Sequence, residues 1–256
     1  MNIFVLKLIL APIVIGSASL AGRKWGPAVS GWIVGLPLTS GPVLFFLSLS
    51  NGTDFAANAA LGVISGGISL VAYALSYVWL SNKFRWQWTI TGSLFVYLLC
   101  TAILQNFIFP LIPIFLVVSV LILLALRMMP NDVAEELDAQ PSPWDIPLRI
   151  LIGTSFILLL TWIAPYIGSH LTGLLTTIPL YVSILTVFAH RHQGAAAAAH
   201  VLRGLLYGLF AFAGFFLTLD LLLEKAGVGI AFLAALVVAL TIQGTTLWLL
   251  NQTHQD

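Results

Sequence analysis

GPAVSGWIVGLPL, residues 26–38, returns 142 residues later as GSHLTGLLTTIPL, residues 168–180. Gly26 overlies Gly168, Gly31 overlies Gly173, Pro37 overlies Pro179 and Leu38 overlies Leu180. The register continues through Phe46 and Phe188, Gly52 and Gly194, Ala56-Ala57 and Ala198-Ala199, Gly62 and Gly204, and Gly66 and Gly208. Ten ungapped identities thus fall between 26 and 66, where so narrow a composition gives roughly three or four by chance. Lys7 overlies Arg149 in the same shift. The chain reads as two copies of one unit.

The medium follows from composition. Sixty per cent of residues are hydrophobic and 7% are charged, against roughly 25% charged in a soluble domain. Mean hydropathy is +1.04, so lipid is the solvent for most of this surface. The net charge of +1 excludes a strongly basic nucleic-acid binder. The single Cys100 cannot form an internal disulfide and argues against a metal or iron–sulfur site.

Nine apolar stretches have the length of crossings: about 3–21, 28–49, 55–80, 87–106, 109–127, 146–164, 170–190, 196–222 and 228–250. The first reads as a span and not as a cleaved leader, because Lys7 lies within it and it has a counterpart at span 6. Gln105-Asn106 followed by Pro110 and Pro113 predicts a tight reversal between spans 4 and 5. Arg23, Lys24, Lys83, Arg85, Arg127, Arg149 and Arg191 all fall at odd-numbered loops. The positive-inside rule makes those loops cytoplasmic. The N-terminus is then outside, the C-terminus cytoplasmic, and the expected location is the inner (plasma) membrane. The acidic stretch PNDVAEELDAQPSPWD, 130–145, reads as a solvated cytoplasmic linker.

Charges at matching loops are swapped between the copies. Arg23-Lys24 follow span 1, but the matching loop after span 6 has no Lys or Arg; the loop after span 2 has none, but its match carries Arg191. Matched loops therefore face opposite sides, the mark of an inverted repeat. The expected fold is an all-α integral membrane protein of about nine transmembrane helices. Residues 1–107 form a first four-helix repeat. Residues 108–145 hold an added linker helix and the acidic loop, and residues 146–256 form a second, inverted repeat.

The four-span unit resembles the small GlpM-type bacterial membrane proteins. The resemblance is clearest in YIGSHLTGLLTTIPLYVSILTVFAHRHQG, 166–194, with a Gly before a Pro-containing second span and a His- and Arg-bearing exit. It implies a fused, internally inverted double of a small membrane protein, and it supplies no substrate. The plan also resembles drug/metabolite-type transporters in architecture.

Breakers in the middle of a span need a reason, because freed backbone groups in hydrocarbon must find partners in protein or in a wet cavity. Carriers place such breaks at the repeat interface, where they hold solute. Gly35, Pro37, Thr39 and Ser40 in one copy, and Thr176, Thr177 and Pro179 in the other, are the expected solute-lining set. Kinked, close-packed helices are the competing account of the same residues. Gly62, Gly66, Gly204 and Gly208 are expected to let helices touch, with spans 3 and 8 crossing each other or span 2 of their own unit. Lys7 and Arg149 are expected to snorkel to the interface. The histidines around span 7 lack carboxylate partners, so no metal is expected.

No nucleotide-binding loop, serine elbow or zinc-protease motif is present in the sequence, so no catalytic residue, enzyme activity or cofactor is expected. No acidic residue sits at a span centre, where ion-coupled carriers usually keep one. The expected function is a permease or exporter of a small solute at the paired breaks. The alternative is a non-transporting scaffold or regulator of another membrane complex. Partners are the lipid bilayer and an unidentified solute, without nucleic acid, and homo-oligomerisation is left open.

Overall fold

The structure is a computed structural model that describes residues 3–25, 37–129 and 145–253. Among the described residues all regular structure is helical: α1 (Ile3–Trp25), α2 (Ser40–Ser50), α3 (Thr53–Ser81), α4 (Trp86–Leu104), α5 (Leu111–Met128), α6 (Asp145–Ile167), α7 (Ser169–Thr176), α8 (Leu180–Gln193) and α9 (Ala195–Thr253). Apolar runs of this length take helical form because a helix satisfies its own backbone where water is absent. Glycine sets two of the boundaries. Gly52 and Gly194, aligned by the 142-residue sequence shift, have φ of +93° and +92° just before α3 and α9. L side chains rarely adopt that backbone, so glycine lets the chain turn sharply into the next helix.

Six helices are long and apolar enough to cross a membrane: α3, α4, α5, Ile146–Ile167 of α6, Ser169–Gln193 across α7 and α8, and Ala195–Thr246 of α9. The last runs for 52 residues, about 78 Å if straight at ~1.5 Å per residue. It is not straight. Gly227 is non-helical, with φ 79° and ψ 168°. A Cβ at Gly214 would touch the Ile242 side chain and lie 3.5 Å from Val238. On an unbroken helix residues 214 and 242 would be about 42 Å apart, so the chain folds back at Gly227 into two packed arms. α4 and α5 are also distinct helices, parted at residues 105–110, with Pro110 extended at the start of α5. Of the second expected span, residues 28–36 lie outside the described residues, and its described helix is the 11-residue α2. The acidic loop from 130 to 144 also lies outside them.

α3 is the centre of the bundle. It packs on α4, α7 and α9, and Tyr73, Ala74 and Tyr77 on it are fully buried. α1 packs on α6 and α3 on α9, and each pair holds positions that the 142-residue sequence shift aligns. α5 has no counterpart in the sequence shift, and it packs on both α3 and α9. Outward faces are apolar: Phe95, Leu98 and Ile103 of α4, Leu116 and Val120 of α5, and Leu233 and Val237 of α9 are all exposed. Such a surface suits lipid and not water.

Contacts between α3 and the α7–α8 pair rise together in number. Gly62 meets Gly173, Gly66 meets Thr177, Tyr73 meets Ser183 and Tyr77 meets His190. The two therefore run parallel. Their far ends bring the Lys83–Arg85 turn and Arg191 to the same end of the bundle.

Candidate functional site

The break predicted at Pro179 is present. α7 ends at Thr176, α8 begins at Leu180, and Pro179 has ψ of 53°, outside the helical range. A continuous helix would pair the carbonyls of Gly173, Leu174, Leu175 and Thr176 with the N–H groups of residues 177 to 180. Pro179 has no N–H to give. Each carbonyl instead finds another donor. Thr176 Oγ donates to the Gly173 carbonyl at 2.7 Å. Thr177 Oγ donates to the Leu174 carbonyl at 2.7 Å, and its N–H reaches the same oxygen at 3.3 Å. Ile178 N–H donates to Leu175 at 3.2 Å. Ser40 Oγ, from the start of α2, donates to Thr176 at 2.9 Å.

That last bond joins the start of α2 to the end of α7, beside the break. Ser40 stands three residues after Pro37, and Thr176 three before Pro179. Pro37, Ser40, Thr176, Thr177 and Pro179 are all buried, so the structure brings this part of the expected set together. Thr39 is half-buried and caps α2 without a side-chain hydrogen bond. Gly35 lies outside the described residues.

Tyrosines complete the polar cluster, and the sequence reading did not single them out. The Tyr97 hydroxyl of α4 lies 2.9 Å from Thr177 Oγ and 3.1 Å from the Leu174 carbonyl. Further along, Tyr73 pairs with Ser183 at 2.9 Å and Tyr77 with His190 Nδ1 at 3.4 Å. Thr186 lies on the α8 face between those two rungs. It is fully buried, and its hydroxyl has no hydrogen-bond partner among the described residues. Ser69, Tyr73 and Tyr77 recur at helical spacing on α3, and that pattern was the available signal. Ser69 accepts from Thr101 of α4 at 2.9 Å. Removing the Tyr97 hydroxyl should cost about 1 kcal/mol, because Thr177 and Leu174 still pair with each other. Thermal unfolding of Tyr97→Phe checks this; a loss of several kcal/mol would make Tyr97 the main prop of the break.

The packing glycines divide. A Cβ at Gly62 would strike the His170 carbonyl oxygen, and one at Gly173 would strike the Ala59 carbonyl oxygen. A Cβ at Gly66 would lie 2.8 Å from Thr177 Cγ2. The partner of α3 at this crossing is thus α7. At Gly204 no described atom comes within 4 Å of an added Cβ. Gly208 is buried. Asn106 donates to the Ala102 carbonyl at 2.9 Å within its own helix end. Among the described residues no group of three His, Cys, Asp or Glu could hold a metal ion.

Comparison with protein-family models, with curated proteins and with solved structures yields no match.

Proposed function

We propose that the protein is a multi-pass inner-membrane carrier of a small polar solute, with its site where the two helix breaks meet. The supporting observation is the Ser40 bond to the Thr176 carbonyl, which ties one break to the other inside the bundle. In this reading nine crossings form two inverted four-helix units, and α5 is the added helix that turns the second unit over. The mutual packing of α1 with α6 and of α3 with α9 favours it, since inverted units carry their sites at the interface between copies. The common end of the Lys83–Arg85 turn and Arg191 favours a cytoplasmic C-terminus. A relationship to the GlpM-type proteins belongs to the same proposal.

One observation favours the scaffold reading. Every carbonyl freed at 173–176 already has a donor within the protein, so the break can exist without a solute. In the carrier reading this is the closed state, and opening exchanges the Ser40 bond for a solute hydroxyl or amide. Solute profiling of cells lacking or overproducing the protein separates the two. A carrier shifts one solute class in opposite directions, and a scaffold shifts none.

Topology is checked separately. In a Cys100→Ser background, Asn106→Cys should react with a membrane-impermeant maleimide from outside, and Lys83→Cys only after the membrane is opened. The reverse pattern would overturn the orientation.

A further inference from the structure

Lys7 does not snorkel. It is 9% exposed and lies on the α1 face shared with Ala11 and Ile15, both fully or almost fully buried. Its Nζ stands 5.8 Å from the centroid of the Phe46 ring of α2, and Phe46 itself is fully buried. That ring is the one partner the structure gives the ammonium among the described residues. A ring quadrupole offsets only a fraction of the cost of taking a charge out of water. An ionisable group inside a membrane protein that is left without a counter-charge marks a functional position.

We propose that Lys7 is a binding site for an anionic oxygen group, a carboxylate or a phosphate. Three observations carry it: the burial of Lys7, its lack of a counter-charge among the described residues, and its place beside the candidate site. Phe46 follows Ser40 by six residues on α2, about 9 Å along the helix axis. An anion held at Lys7 would lay the rest of a small solute toward the Pro37–Ser40 break. The sequence shift sets a second basic residue, Arg149, at the matched position of α6, and α6 is the helix on which α1 packs. The inference deepens the carrier reading by naming the solute's charged group. The same chemistry is also present in the headgroup of an anionic lipid.

The test uses the full-length protein in a neutral detergent, with thermal unfolding followed by intrinsic fluorescence. Sodium acetate and sodium phosphate are the probes, acetamide and glycerol the uncharged comparisons, and sodium chloride matches ionic strength. A second arm uses nanodiscs of phosphatidylcholine alone or with phosphatidylglycerol. Acetate or phosphate should raise the transition in a saturable way. Lys7→Met should weaken that response at least tenfold, and Lys7→Arg should keep it. A Lys7-dependent rise only with phosphatidylglycerol assigns the group to a headgroup. Without any anion, Lys7→Met should be as stable as the wild type, because it removes a buried unpaired charge and keeps the length of the stem. Three results would overturn the inference: no rise in either arm, equal rises in wild type and Lys7→Met, or a Lys7→Met variant destabilised in the absence of anions. The carrier reading fails separately. Anion binding without any movement of the anion into proteoliposomes would keep the site and end the carrier.

Discussion

Replacing Gly62 by leucine should remove most folded protein from the membrane. A Cβ at Gly62 already meets backbone, the carbonyl oxygen of His170 and the Cα of Gly173 at 3.2 Å. Backbone cannot swing aside as a side chain does, so α3 and α7 must separate. Gly173→Leu should act alike, because its Cβ meets the Ala59 carbonyl oxygen from the other side. Overpacking of this kind costs about 3 kcal/mol at the upper end of its usual range. The expected loss here is that or more, since parting α3 from the α7–α8 pair also strains the Tyr73 bond to Ser183. Gly244→Leu is the control: Gly244 is exposed on the lipid side, and nothing lies within 4 Å of its Cβ. Yield and detergent stability of the three variants check this. Normal stability for Gly62→Leu would refute the close crossing.

Pro179→Ala should impair solute movement while leaving protein level nearly intact. Alanine supplies the missing N–H, which the Leu175 carbonyl can accept. Once the helix closes, Leu180 N–H competes with Ser40 for the Thr176 carbonyl. Proline disfavours a helix interior by about 3 kcal/mol relative to alanine, enough for closure to win against one hydrogen bond worth about 1 kcal/mol. Pro37→Ala acts on the other side of the same contact, so the double variant should be much less than additive. Ser40→Ala differs in sign for stability: it leaves the Thr176 carbonyl buried without its donor, at about 1–3 kcal/mol. A scaffold gives neutral or more stable proline variants with unchanged function.

Much of this was legible in the residues. Long apolar runs with few charges dictate helices in lipid, and each helix or helix arm falls on one of the nine stretches read from hydropathy. Thr-Thr-Ile-Pro at 176–179 announced the break, because proline withholds an N–H and hydroxyls beside it replace the lost donors. The repeat register pointed to Gly62 and Gly66 as contact positions. It did not give their partner. Which helix a small-residue face meets depends on the three-dimensional arrangement of the bundle, and α7 fills that place. Tyr73, Tyr77 and Tyr97 carry no signal in hydropathy, because tyrosine within an apolar run counts as hydrophobic, although its hydroxyl needs a partner once buried. The short distance from Lys7 to its helix start suggests an escape to water. The side on which it projects, toward Phe46, decides otherwise. The gap between the stretches 196–222 and 228–250 announced a reversal, and non-helical Gly227 with the approach of Gly214 to Ile242 places it there.

The central claim is that the joined breaks move a solute. Its most direct measurement begins with solute profiles of cells lacking and overproducing the protein. Whichever solute changes is then followed into proteoliposomes carrying wild type, Pro37→Ala, Pro179→Ala or the double variant at equal protein. The account predicts uptake by the wild type, strong loss in each single variant, and little further loss in the double. Uptake at the wild-type rate by both single variants, or no solute that responds to the protein at all, would contradict it.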